Sequence, residues 1–279
     1  MDHAVIDRLR VIAGAEHVRT DAEACEAYGT DALKQGHPAD VVVWPADTAQ
    51  VAAIARLCHE TRTPLVPRGA GTGYTGGAVP SLGGVVISLE RFNRILEIDE
   101  GNLLVIVEPH VITGDLQDAV EAVGLFYPPD PASLRQSVIG GNVAENAGGP
   151  RAFKYGVTNK YVLGLEAVLP TGEVIRTGGK VVKNVVGYDL THLLAGSEGT
   201  LAIITRIILR LIPKPPMQVT MRASFPSVRH AVNAVTGLIR ARVIPAALEL
   251  IDGDSLDAVA RYLNVRSLAP EGTAAILLL

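Results

Sequence analysis

Eleven consecutive residues, Pro67 to Gly77, read PRGAGTGYTGG, and Gly69, Gly71, Gly73, Gly76 and Gly77 leave their main chain almost bare. Glycine costs about 1 kcal/mol in the interior of a helix. The run therefore predicts an irregular loop. Its chemistry lies in its amides, because N–H groups unscreened by side chains can converge on one oxyanion. Two readings stand at this level: a phosphate cradle, and a tight glycine-rich connection.

Gly71-x-Gly73-x-x-Gly76 also satisfies the dinucleotide fingerprint, which works only as strand, tight turn and helix. Pro80, Gly83 and Gly84 follow too soon for a helix to start, and Glu97 is only a loosely spaced candidate for a ribose-binding acid. A nicotinamide-dependent dehydrogenase is thus the weaker alternative. A P-loop is excluded, because no Gly-Lys-Ser/Thr is present.

The other chemistry-bearing residues are scattered. His3, His17, His37, His59, His110, His192 and His230 form no metal-ligand spacing, and His192 reads best as a surface histidine on a short helix. Cys25 and Cys58 are isolated, so they read as small buried hydrophobes in a reducing compartment. Lys183 takes no assigned role.

The elements that must position the glycine run follow from the pattern around it. Of 279 residues, 48% are hydrophobic and 19% charged, with a net charge of −4. That composition describes a folded protein of about two domains and argues against nucleic acid as a partner. The charged N-terminus is unlike a signal peptide, and Leu201–Ile212 carries Arg206 and Arg210 and is too short to cross a bilayer. A cytoplasmic location is expected, with any membrane contact made through a partner.

Residues 1–37 predict a helical lead-in followed by a loop. Strands are expected at Asp40–Trp44, Pro64–Val66, Val85–Leu89, Ile95–Ile98 and Leu103–Glu108, with a helix capped by Asp47 or Thr48. Thr113–Val123 reads as a helix stopped by Gly124, and Pro128–Ser133 as an irregular loop. A second glycine and asparagine bend spans Ile139–Gly149. A hairpin joins Leu163–Leu169 to Glu173–Arg176, Asp189–Leu194 is a short helix, and Leu201–Ile212 is the strongest strand. Beyond Pro213–Pro216 come a strand at Val219–Phe225 and a helix opened by Ser227, with Val228, Val232, Val235 and Ile239 on one face. Strand Ala247–Ile251, helix Ser255–Tyr262 and strand Thr273–Leu279 complete the series. The last run stops without a turn residue, so a longer or truncated polypeptide is expected.

PRGAGTGYTGG, PDPAS, IGGNVAENAGG, KNVVGYDL and GSEGTLAIIT, in this order, resemble the FAD-binding domain of the vanillyl-alcohol oxidase/p-cresol methylhydroxylase (PCMH) superfamily. Within it they are most similar to the glycolate oxidase FAD subunit and the D-lactate and D-2-hydroxyglutarate dehydrogenases. The resemblance implies an α+β fold: a PCMH-type FAD-binding domain of two α+β subdomains at 38–216, after the lead-in 1–37. The start of a ferredoxin-like cap domain would occupy 217–279.

By the same resemblance Pro67, Arg68, Gly69, Ala70, Gly71, Thr72, Gly73, Gly76 and Gly77 meet the FAD diphosphate. Pro129, Asp130 and Ser133 lie beside the flavin and its ribityl chain. Gly140, Gly141, Asn142, Asn146, Ala147 and Gly148 face the isoalloxazine and diphosphate, and Glu198, Gly199, Ile203 and Ile204 the adenosine end. Thr72 stands where covalently flavinylated relatives carry histidine, so noncovalent FAD is expected, and Ala202 replaces a common glycine. The resemblance implies oxidation of a 2-hydroxy acid, with an iron–sulfur or electron-transfer partner subunit. Its divalent-metal ligands and catalytic residues fall beyond Leu279, leaving an FAD-binding module without independent turnover as the alternative.

Overall fold

Short Val/Ile runs bounded by proline, glycine and aspartate recur through the first 210 residues or so, and each becomes a strand once a helix or a second sheet covers one face. A computed structural model describes residues 1–279. Its elements in order are α1 (His3–Ala13), β1 (Val18–Arg19), α2 (Ala22–Ala27), β2 (Val41–Val43), α3 (Thr48–Thr61), β3 (Leu65–Arg68), β4 (Val85–Ser88), β5 (Ile95–Asp99) and β6 (Leu104–Val107). Next come α4 (Thr113–Glu121), β7 (Leu125–Phe126), α5 (Ile139–Glu145), α6 (Ala152–Tyr155), β8 (Val162–Val168), β9 (Val174–Gly178), α7 (Leu190–Leu194), β10 (Ile203–Arg210) and β11 (Ile212–Pro213). The series ends with β12 (Arg222–Phe225), α8 (Val228–Arg240), β13 (Glu249–Asp252), α9 (Gly253–Tyr262) and β14 (Ala275–Leu278). The chain forms two compact units. One comprises residues 1–127, 133–147 and 158–214; the other comprises 128–132, 148–157 and 215–279.

The first unit holds two main sheets. One has the order β1-β2-β4-β3, with β4 parallel to both β2 and β3. The other, β5-β6-β10-β8-β9, is antiparallel throughout. Alternation along β2 sends Val41 and Val43 into a core with Leu9 of α1, Ile54 and Leu57 of α3, Val85 and Ile87 of β4, and Ile203 of β10. Val42 and Val86 point the other way, among Cys25, Tyr28 and Trp44. The lead-in is therefore part of the same core rather than an appendage. Asp47 caps α3 by accepting from the Gln50 amide at 2.9 Å. Beneath that helix start, Glu166 of β8 is buried and accepts from Thr48 Oγ1 and from Arg176 of β9.

In the second unit β14 is the middle strand of the order β12-β14-β13. Ser227 and Asp252 cap α8 and α9. Asp130 pairs with Arg151 at 3.2 Å, and a side chain on Gly149 would collide with the Asp130 carbonyl.

Three expectations change. The bend expected at Ile139–Gly149 is helical over Ile139–Glu145, because Ile139 and Val143 are buried and the helix end is capped from elsewhere in the chain. The strand expected from Val219 begins only at Arg222, and Val219 is exposed. On α8 the fully buried residue is Ala231, whereas Val228, Val232 and Ile239 remain exposed. The segment between β9 and α7 is irregular and leaves Val182, Val186 and Tyr188 in solvent.

Candidate functional site

β3 ends where its last rung is made: the Leu89 amide donates to the Arg68 carbonyl at 3.1 Å. Beyond it, residues 69–84 contain no helix, as Pro80, Gly83 and Gly84 require. No amide from Gly69 to Ala78 donates a hydrogen bond within the chain. These residues are half-buried or exposed, so their N–H groups remain open to solvent, and successive free amides at the carboxyl end of a parallel strand can converge on an anion. The loop is held instead through its carbonyls. Ala32 N–H donates to Gly73 at 3.2 Å and Val79 N–H to Gly76 at 3.0 Å.

Arg68 does not offer its charge freely to that surface. Its side chain is buried, and Nη1 donates to the carbonyls of Thr30 at 2.6 Å and Tyr28 at 3.3 Å. The guanidinium also stacks 5.5 Å from the Tyr28 ring centroid. Burial lowers the Arg68 pKa, while Tyr28, Glu90 and Asp31 act against that shift. Burial, followed by the Glu90 hydrogen bond, pushes the Tyr28 phenol up. Gly71 has φ +68°, and a Cβ there would strike the guanidinium. Arg68 is thus the post on which the loop rests.

The second glycine stretch meets the first at its amino end. In α5 the Ile139 amide donates to Val111 O at 2.9 Å and the Gly140 amide to Pro109 O at 2.7 Å. The Gly141 amide makes no bond within the chain, and it lies 3.8 Å from where a Cβ on Gly69 would be. Asn142 is buried and donates to Thr113 Oγ1. Asn146 closes the helix in the left-handed region, at φ +52°. The Ala147 amide returns to the Asn142 carbonyl at 2.8 Å.

The GSEGT turn spends its amides on α5. Gly196 N–H donates to Val143 O at 2.9 Å and Glu198 N–H to Ala144 O at 2.8 Å, which satisfies carbonyls that a helix end leaves open. Glu198 stands at φ +53°, and its carboxylate accepts from Thr75 Oγ1 of the glycine loop at 2.8 Å. Gly199, at φ +74°, leaves the space that Pro67 fills. Ile203 and Ile204 are buried at the start of β10, opposite Val168 and Ala167. The structure therefore brings Pro67–Gly77, Gly140–Ala147 and Glu198–Ile204 together in one unit. Ser133 also belongs to that unit, where its carbonyl accepts from the Gln136 and Ser137 amides at 2.7 Å. Pro129, Asp130 and Gly148 belong to the second unit.

Two features were not read from the sequence. His192 faces an acceptor oxygen at each ring nitrogen, Asp189 Oδ2 at 2.7 Å from Nδ1 and the Asn159 carbonyl at 3.1 Å from Nε2. The Asn159 amide in turn donates to Asn146 Oδ1 at 2.9 Å, so the imidazole reaches the glycine–asparagine stretch through one residue. Nothing local in the sequence marks Asn159 as the link. The second is Glu145, whose carboxylate takes the space a Cβ on Gly73 would need. Its position was masked by the expected bend.

A strand end, a loop of unspent amides and a short helix capped by a third glycine turn thus come together in one unit. Residues 39–178 match the family model described as FAD binding domain, and 214–279 match FAD linked oxidases, C-terminal domain. The chain belongs to this family of FAD-linked oxidases, with a PCMH-type FAD-binding domain, and its cofactor is FAD. It is 45% identical over 276 residues to the glycolate oxidase subunit GlcD of Bacillus subtilis, covering 99% of this chain and 58% of that protein. The D-lactate dehydrogenase of Anaerostipes hadrus is 41% identical over 225 residues, which is 81% of this chain and 47% of that protein. The chain thus spans about half the length of these relatives. Among solved structures, p-cresol methylhydroxylase with substrate bound superposes with a TM-score of 0.80 at 19% identity, over 99% of this chain and 59% of that one. An alkyldihydroxyacetonephosphate synthase gives a TM-score of 0.80 at 22% identity, over 100% of this chain and 55% of that one. Those structures share the fold. No helix is long and apolar enough to cross a membrane.

Proposed function

We propose that this chain is the FAD-binding part of an oxidoreductase that acts on the CH–OH group of a 2-hydroxy acid of the glycolate or D-lactate type. The observation that carries the reading is the unbroken set of unspent amides from Gly69 to Ala78, beside the unspent Gly141 N–H. Charge-assisted amide bonds contribute about 1.5–3 kcal/mol each, so a few of them hold a diphosphate without a lysine. Arg68 supports the loop from below, α5 sets its inner wall, and the Glu198 turn braces α5. Pro129, Asp130, Ser133, Asn142, Asn146, Ala147, Gly148, Ile203 and Ile204 line the remaining cofactor in this reading. The chemistry that FAD supplies when bound is acceptance of a hydride from the α-carbon of the acid.

Thr72 has no nucleophilic nitrogen for a bond to the flavin, which favours noncovalent binding. The support for the substrate class is the similarity to a glycolate oxidase subunit and to D-lactate dehydrogenases. The relative's description as a subunit favours electron transfer to a partner chain, of iron–sulfur or other electron-transfer type. Purified protein should be yellow, and acid precipitation should leave FAD in the supernatant. A colourless protein that ignores added FAD overturns the reading.

A second reading, FAD binding without turnover by this chain alone, is favoured by its coverage of 58% of the glycolate oxidase subunit. Anaerobic addition of glycolate or D-lactate separates the two. Bleaching of the flavin supports the dehydrogenase; an unchanged spectrum with bound FAD supports the module.

A further inference from the structure

The glycine loop is ringed by carboxylates, an odd setting for a surface that must accept a diphosphate. The Glu145 side chain reaches from the last turn of α5 into the space beside Gly73, where even a methyl group would collide with it. Glu198, from the turn that caps α5, lies against Gly77 and holds Thr75. Asp31 sits just before Ala32, whose amide holds Gly73. Asp31 is buried and accepts from the Leu33 amide at 2.9 Å. Arg68 is the cation of this neighbourhood, and its Nη1 is committed to the Tyr28 and Thr30 carbonyls.

Glu198 has Thr75 and Asp31 has Leu33, but the Glu145 carboxylate makes no hydrogen bond or ion pair. The Glu145 side chain is exposed at its outer edge, yet desolvation against the loop, followed by repulsion from Glu198 and Asp31, moves its pKa upward. An arriving diphosphate would bring further negative charge to Gly73 and raise the cost of an ionised Glu145 again.

We propose that Glu145 is a proton-linked gate on the cofactor cradle: FAD enters as the Glu145 carboxyl takes up a proton. The inference rests on the reading of the glycine run as the diphosphate cradle. The direction follows from linkage. A carboxyl whose pKa is higher with FAD bound than without makes affinity rise as pH falls between those two values, by at most tenfold per pH unit for one proton. The charged groups that act on Glu145 are Glu198 and Asp31. Both act in the same direction on it, raising its pKa.

The test is calorimetric titration of deflavinated full chain with FAD between pH 5 and 8, in buffers of different ionisation enthalpy, with binding also followed by flavin fluorescence. Wild type should take up protons on binding, and its dissociation constant should rise with pH. Glu145→Gln should bind without that uptake, more tightly than wild type at pH 8 and almost independently of pH. Glu198→Gln removes one of the two repelling charges and should move the uptake to lower pH without abolishing it. FAD binding by wild type without proton uptake overturns the gate while leaving the cradle intact. Undiminished uptake by Glu145→Gln overturns it too. No FAD binding at any pH overturns gate and cradle together.

Discussion

The guanidinium of Arg68 lies directly beneath Gly71, in the space that a side chain at Gly71 would need. One residue ends the strand and the other turns the chain above it at φ +68°. The arginine that sequence similarity assigns to the diphosphate thus commits its Nη1 to the carbonyls of Thr30 and Tyr28, while Nη2 underlies Gly71. A lysine would keep the charge but lose the planar stack on Tyr28 and the fork of donors. Arg68→Lys is expected to lower stability by about 2 kcal/mol, since hydrogen bonds to charged groups contribute about 1.5–3 kcal/mol. It should also weaken FAD binding at least tenfold. Denaturant unfolding and fluorescence titration measure the two effects; unchanged affinity would show that the loop does not need its post.

Gly71→Ala tests the loop geometry from the other side of the same contact. Left-handed backbone costs a residue with a Cβ about 1–2 kcal/mol, and here the methyl group also meets the guanidinium. Apparent FAD affinity should fall at least tenfold, with a stability loss comparable to that of Arg68→Lys. Gly76→Ala is the control, because a Cβ at that glycine meets nothing within 4 Å although φ is +84°. Its effect on affinity should be smaller.

Hydrogen bonds link His192 to Asn146 through Asn159, which predicts a positioning role for the imidazole. His192→Ala leaves the Asn159 carbonyl without its ring partner and should weaken FAD binding several-fold, with about 1 kcal/mol of stability lost. His192→Gln restores a side-chain donor and should recover most of the affinity. Equal losses in the two variants would reduce His192 to a packing residue.

Glu166 joins α3, β8, β9 and β10, and it carries a pH dependence of the fold. Burial alone would raise its pKa, but hydrogen bonds from Arg176 and Thr48 and the charges of Arg206 and Arg176 outweigh that and hold it below 4.5. A carboxyl with a depressed folded-state pKa adds stability above its unfolded value, and that stability is lost as pH falls through the folded value. Wild type should therefore lose stability below about pH 4.5. Glu166→Gln should be about 1–3 kcal/mol less stable at pH 7, a range set by the exposed Arg176 partner, and should show a flatter acid limb. Urea midpoints from pH 3 to 7 measure this; parallel profiles would remove Glu166 from the account.

Much of the first unit was legible because local and tertiary demands agree there. β2, β4, the β8–β9 hairpin across Pro170-Thr171-Gly172, and β10 are apolar runs closed by residues that forbid continuation. The glycine loop was equally plain, since Pro80, Gly83 and Gly84 leave no helix after it. α5 was hidden because Gly140 and Gly141 lower helix propensity, and its carbonyl end is closed from fifty residues away by Gly196 and Glu198. Arg68 was found as a residue but not as a post, because Tyr28 and Thr30 lie forty residues earlier in an irregular segment. On α8 the periodicity gave the helix correctly, while Val228, Val232 and Ile239 show that spacing names a face without saying whether it is covered.

The three-stranded sheet has a temporal corollary. β14 is made after β12 and β13, yet it hydrogen-bonds to both of them and they make no rung with each other. During synthesis the two earlier ribbons and their helices must wait, with edges bare, until residues near 278 have cleared the ribosome tunnel. The glycine loop involves none of these strands, so nascent chains should complete it while this sheet is still an unjoined pair of edges.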